Sequence, residues 1–158
     1  MNILVLCTGN SARSILLECL LRRAGGGRIT TFSAGSQPAG KVHPQALRIL
    51  AAEGHDISGL TSKSWDIYAQ DDAPHMDAVI TVCGNAAAET CPMWPAAPVR
   101  AHWGVEDPAA ATPEAAPAAF REAYDILNRR ATAFLETPLD FTDSTALQAR
   151  LRDCSTVE

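Results

Sequence analysis

Five residues separate Cys7 from Arg13 in the run Cys7-Thr8-Gly9-Asn10-Ser11-Ala12-Arg13-Ser14. A cysteine thiolate is a nucleophile, and an arginine offers a planar fork of donors to two oxygens of one anion. Gly9 lets the backbone approach a ligand closely. If a strand feeds this loop and a helix leaves it, Thr8, Gly9, Asn10, Ser11, Ala12 and Arg13 form a nest for a tetrahedral oxyanion. The positive field of such a site favours the thiolate of Cys7, and Ser14 is placed to hydrogen-bond it. The implied chemistry is attack by Cys7 on a bound oxyanion.

The flanking sequence supplies the elements this loop needs. Ile3-Leu4-Val5-Leu6 is a continuous apolar run, as in a parallel strand covered on both faces. Ser14 to Ala24 reads as a helix closed by three glycines, and Arg28 to Ala34 as a second strand ended by Gly35. Pro44 opens a second helix that runs to Glu53. A polar stretch from Asp56 to Pro74 follows, with a short helix expected around Trp65 to Ala69. Asp77 to Val82 and Val99 to Trp103 read as further strands, separated by an Ala-rich helical piece after Gly84 and then by prolines. A loop from Gly104 to Pro117 leads to a long helix, Ala118 to Glu136, whose Phe120, Ala123, Tyr124, Leu127, Ala131 and Phe134 recur at helical spacing. Alternating strands and helices predict an α/β domain with a parallel sheet and right-handed crossovers. Chemistry in such sheets collects at the carboxyl ends of strands, where Cys7, Cys83 and the segment after Trp103 all fall. Residues 137–158 read as an appended extension to a domain spanning 1–136, with one short helix from Thr145 to Asp153.

The chain has 158 residues, 47% of them apolar and 20% charged, which suits one core. A net charge of -5 argues against nucleic acid or an anionic membrane as partner. No apolar run approaches the roughly 20 residues of a membrane span, and the N-terminus reads as a strand, not a signal peptide. A cytoplasmic monomer is expected. Five cysteines, at 7, 19, 83, 91 and 154, are odd in number and irregular in spacing. They fit neither a disulfide framework nor a structural zinc site, and no metal or cofactor is expected.

The run CTGNSARS, with FSAG at Phe32 to Gly35 and AHWGVEDPA at Ala101 to Ala109, resembles the arsenate reductases built on the low-molecular-weight tyrosine phosphatase fold. The resemblance covers roughly Asn2 to Glu136. It implies a three-layer α/β fold, with a central four-stranded parallel sheet of order 2-1-3-4 flanked by helices. It implies reduction of arsenate to arsenite, for arsenic detoxification. Many members carry a second cysteine in the loop where this chain has Ala12, a position that is not the nucleophile.

A reductase must supply two electrons, which two thiols do by becoming a disulfide. Cys83 ends a strand on the active rim, and Cys91 follows after seven residues where relatives commonly have six. If the intervening segment is helical, the two Cα atoms lie about 12 Å apart at 1.5 Å per residue. A disulfide needs less than about 7 Å, so joining them requires this segment to unwind. The resemblance implies a relay in which Cys7 attacks arsenate, Cys83 attacks Cys7, Cys91 attacks Cys83, and thioredoxin reduces the last disulfide. Glutaredoxin with glutathione is the alternative reductant. Asp107, on a loop stiffened by Pro108, is the general acid that the resemblance implies, with Glu106 its neighbouring competitor. The alternative activity is that of a low-molecular-weight phosphatase, which would use Cys7, Arg13 and Asp107 and ignore Cys83 and Cys91. A non-enzymatic oxyanion sensor is a third reading. Cys19 lies among leucines and reads as core, and Cys154 lies in the extension.

Glu18 is a carboxylate in an apolar helical stretch, where a buried charge needs a partner. Some members of the resembled family bind potassium with an Asn of the loop, a Glu of the first helix, a Ser of the second strand and an Asp after a Thr-Ser pair. The first three match Asn10, Glu18 and Ser33, but Lys63 stands in the fourth place. The expectation is that the Lys63 ammonium replaces the cation and pairs with Glu18, while Asn10 holds the loop shape through its side chain.

Overall fold

The computed structural model describes residues 1–83 and 98–158. Four parallel strands form one sheet: β1 (Asn2–Cys7), β2 (Thr30–Gly35), β3 (Ala78–Thr81) and β4 (Val99–His102), in the order β2-β1-β3-β4. This is the expected sheet. The apolar run Ile3 to Leu6 makes β1 a central strand that is buried from Ile3 to Cys7, because both of its faces are covered. The register sets Cys7 beside Gly35 and Leu6 beside Thr81, so the ends of three strands share one rim.

The helices are α1 (Arg13–Gly25), α2 (Pro44–Ala52), α3 (Ala116–Leu135) and α4 (Ser144–Cys154). All four contribute to one core with Ile3, Val5, Ile80 and Val82, the residues of one sheet face. On the opposite face Leu4, Leu6, Ala34 and Val79 pack with Tyr68 and Met76. Tyr68 comes from a short 3-10 turn, Trp65–Tyr68, where a short helix is expected. The Ala-rich helical piece after Gly84 lies outside the described residues, as does Cys91.

The caps follow local chemistry. His43 precedes Pro44 and accepts the Gln45 amide on its ring, and Asp143 accepts the amides of Thr145 and Ala146. α1 differs: Ala12 stands at its N-cap with no side-chain hydrogen bond and no acidic residue follows in the first turn. The positive end of this helix is therefore left to whatever faces it.

The segment after residue 137 departs from the expectation of an appended tail. Leu147, Leu151 and Cys154 are buried and belong to the same core as α1 and α3. Trp103, fully buried, donates its indole N–H to the Leu151 carbonyl at 2.8 Å, and Gln148 reaches the Arg100 carbonyl. α4 is thus fastened to β4, not strung behind the domain. Leu151→Ala should destabilise the protein by about 2–4 kcal/mol, the range for emptying a buried leucine site. Urea unfolding checks this; a loss below about 0.5 kcal/mol would be the signature of a tail outside the core.

Candidate active site

The run from Cys7 to Ser14 joins β1 to α1: Cys7 ends the strand and Arg13 opens the helix, as its position in the sequence requires. Its shape is fixed from outside. The carbonyls of Thr8, Gly9 and Ser11 accept from the amides of Gln37, Ala39 and His43, each at 2.9 Å, and the Ser62 hydroxyl also donates to the Gly9 carbonyl. In a planar trans peptide the N–H points opposite to the carbonyl. Turning these carbonyls outward therefore turns the amides of Gly9, Asn10 and Ala12 inward. The Asn10 amide shows the result, since it donates to Cys7 Sγ at 3.1 Å. Ser14 Oγ lies 2.9 Å from the same sulfur. The sulfur is thus met by one backbone amide and one hydroxyl at hydrogen-bond distance.

Asn10 is the residue that makes this turn possible. It has φ of 43°, the left-handed region, and is fully buried. Asparagine tolerates this conformation better than most residues. Its Nδ2 donates to Ser14 Oγ and Ser33 Oγ, both at 2.9 Å, and its Oδ1 accepts from the Lys63 amide. Ser33 in turn donates to Glu18 Oε2 at 2.5 Å, and Glu18 pairs with Arg22 one turn along α1. A continuous chain of hydrogen bonds thus joins Arg22, Glu18, Ser33, Asn10, Ser14 and Cys7.

The expected pairing of Glu18 with the Lys63 ammonium is replaced by another arrangement. Arg22, four residues after Glu18 on the same helix, holds the carboxylate. Lys63 Nζ donates to its neighbour Thr61's carbonyl. Burial pushes its pKa down, and the nearby charge of Glu18 acts against that. Lys63 supports the loop through its backbone: its amide holds Asn10 and its carbonyl accepts the Gly35 amide. Gly35 ends the second strand and closes the FSAG run. A Cβ there would meet the Thr8 carbonyl at 2.4 Å, so the close passage of β2 past the loop demands glycine.

The loop floors a cleft of about 560 Å³. Cys83 lines it beside Cys7, and its sulfur lies 3.5 Å from Thr8 Oγ1. Glu106 and Asp107 form the facing wall, and Asp107 is the one joined to the loop. Its Oδ2 lies 3.1 Å from Arg13 Nη2, while its Oδ1 accepts the Ala109 amide and so starts the short turn Pro108–Ala110. Arg13 also donates to the Val105 carbonyl at 3.2 Å. Of the flanking residues, Trp103 points into the core and His102 bonds Thr81 Oγ1. Cys19 is buried and its thiol is pushed up to about 11, chiefly by desolvation and then by Glu18. Cys154 is also buried, and its pKa is raised by the same cause. Among the described residues no group of three His, Cys, Asp or Glu side chains is placed to hold a metal ion, and no helix is long and apolar enough to cross a membrane.

Residues 2–147 match a family described as low molecular weight phosphotyrosine protein phosphatase. The arsenate reductase of Bacillus subtilis is 40% identical over 134 residues, covering 84% of this chain and 93% of that protein. That of Bacillus licheniformis matches with the same identity and coverage. A solved thioredoxin-dependent arsenate reductase of Corynebacterium glutamicum superposes with a TM-score of 0.61 at 30% identity, covering 82% of this chain and 57% of that chain, so this chain spans little more than half of it. A structure described as an arsenate reductase in the phosphate binding state gives 0.63 at 27% identity, covering 82% of this chain and 95% of the other.

Two outcomes follow from this geometry. Asn10→Ala and Asn10→Gly should both lower turnover by about 100-fold, the scale set by misplacing reacting groups by an ångström. Recovery in the glycine variant alone would mean that the backbone conformation, not the side-chain bonds, is what matters. Iodoacetamide at neutral pH should label Cys7 and spare Cys19, with inorganic phosphate protecting Cys7; peptide mass mapping reads both.

Proposed function

The chain belongs to the low molecular weight phosphotyrosine protein phosphatase family, and on that premise we propose that it reduces arsenate to arsenite with its own cysteines and is regenerated by thioredoxin. The observation that carries the reading is a second cysteine, Cys83, lining the same cleft as the Cys7 nucleophile. A phosphatase has no use for it. Among the described residues no aromatic side chain lines the cleft, whereas an aryl phosphate would need a surface for its ring. The relatives named arsenate reductase support the same choice.

Arsenate binds with its oxygens on the inward amides and Arg13. It competes there with Asp107, so binding frees the acid that the ion pair detains. Cys7 attacks arsenic, Asp107 protonates a departing oxygen, and water leaves. Arsenic is still pentavalent in the Cys7 adduct. The Cys83 thiolate then attacks the Cys7 sulfur. The sulfur–arsenic electron pair passes to arsenic, arsenite departs, and a Cys7–Cys83 disulfide remains. Cys91 attacks Cys83, which returns Cys7 as a thiolate and leaves Cys83–Cys91 for thioredoxin. Each turnover moves two electrons from thioredoxin to arsenic. Asn10, Ser14, Ser33 and Glu18 serve by holding the loop and its sulfur.

Arsenate-dependent NADPH oxidation with thioredoxin and its reductase tests the scheme. Cys7→Ser and Cys83→Ser should abolish it. Cys91→Ser should block multiple turnover while leaving one arsenite per chain. Undiminished turnover by both Cys83→Ser and Cys91→Ser would end the three-thiol relay, and turnover with glutathione and glutaredoxin alone would reassign the reductant.

A further inference from the structure

The acid loop leaves β4 through two residues, Trp103 and Gly104, and both are held by the C-terminal segment. Trp103 is held directly, by its indole N–H on the Leu151 carbonyl. Gly104 is held through Arg130 of α3, whose side chain is almost fully enclosed. The Arg130 guanidinium donates from Nη1 to the Gly104 carbonyl at 3.1 Å and from Nε to the Val157 carbonyl at 3.0 Å. Among the described residues no carboxylate lies within ion-pair distance of it, and only the more distant charge of Glu158 favours its cationic form. A buried cation that spends its donors on two backbone carbonyls is costly, and a neutral apolar residue would fill the same space more cheaply. What it gains is geometry, because a rigid fork fixes two chain segments at once.

The segment so fixed is the one that carries the acid. The Val105 carbonyl accepts from Arg13, the Val105 amide donates to the Val82 carbonyl, and Asp107 pairs with Arg13. One guanidinium therefore grips the loop from the cleft side and another from behind, three residues before Asp107. Both C-terminal acceptors, Leu151 and Val157, lie beyond residue 147, where the family match stops. The grip is a feature of this chain's C-terminal segment and not of the matched region alone.

We propose that Arg130 is a positioning residue for the general acid, and that the segment after residue 147 acts through it to set where Asp107 meets the bound anion. This rests on the reading of Asp107 as the acid in arsenate reduction. With Arg130 in place, residues 105–109 are held against the loop at the distance the proton transfer needs. Without it, the loop keeps its Arg13 contact and the Trp103–Leu151 bond but loses the hydrogen bonds that tie the Gly104 carbonyl through the guanidinium to Val157. Anion affinity, which depends on residues 7–14, stays as it was.

The test compares the full chain with Arg130→Met, which keeps the apolar stem and removes the donors, and with Arg130→Lys, which keeps the charge and some donors. Amide hydrogen exchange reads the loop independently of any activity. In Arg130→Met, exchange at residues 105–109 should rise about 10-fold while residues 7–14 are unchanged. The kcat for arsenate should fall about 10-fold with KM within about 3-fold, since a displacement near an ångström can cost up to roughly 100-fold. Arg130→Lys should recover part of both. Unchanged exchange at 105–109, or a uniform rise across the whole molecule, would overturn the proposal. So would a rise in KM with kcat intact. If the native chain shows no arsenate turnover, the reading of the reaction fails, and the exchange result still decides whether Arg130 and the C-terminal segment hold this loop.

Discussion

The site depends on one buried asparagine held in a left-handed turn. That conformation costs about 1–2 kcal/mol for an ordinary L-residue. Asn10 offsets it with four hydrogen bonds, one through its amide and three through its side chain, each worth about 0.5–1.5 kcal/mol net. The bonds win, and their directions matter as much as their sum. They tie the end of β1 to β2, to α1 and to the segment around Lys63, so the loop cannot open without loosening all three. The chain of contacts ends on the Cys7 sulfur, which links the proposed nucleophile to residues as distant as Glu18 and Arg22.

A second constraint works from the other side. Peptide carbonyls in the loop accept from amides of the outer segment between Gln37 and His43, and Ser62 adds a hydroxyl donor to the Gly9 carbonyl, which together help turn the amides into the cleft. The nest needs no special side chains in that segment, only a backbone in register. Gly35 is the exception, because β2 passes too near Thr8 for any Cβ. Arg13 then closes the cleft toward the loop after β4 through Asp107 and the Val105 carbonyl.

Much of this was legible in the residues. The apolar run at Ile3 to Leu6 announced a doubly covered strand, and the small residues after it announced a turn into a helix. The stripe from Phe120 to Phe134 announced α3. What escaped depended on backbone groups. Lys63 drew notice for its ammonium, yet it serves through its amide and carbonyl, which every residue has, so no residue type marks the position. The C-terminal segment has the polar composition of an extension. Leu147, Leu151 and Cys154 recur at spacings of four and three, an apolar stripe that would have marked a core helix. The anchoring of Trp103 and Gly104 by that helix and Arg130 had no signal in the sequence, since carbonyl acceptors carry no identity.

The proposed role of the Cys7 loop would suit a phosphatase and a reductase equally, because both reactions begin with attack on a tetrahedral oxyanion. The difference is whether electrons follow. One measurement addresses this most directly: the reduced protein is mixed with arsenate, with no other reductant present, and the products are analysed by arsenic speciation and intact mass. The account expects one arsenite per chain, and a protein lighter by two hydrogens with Cys83 in a disulfide. A protein of unchanged mass with all arsenic still pentavalent would contradict it.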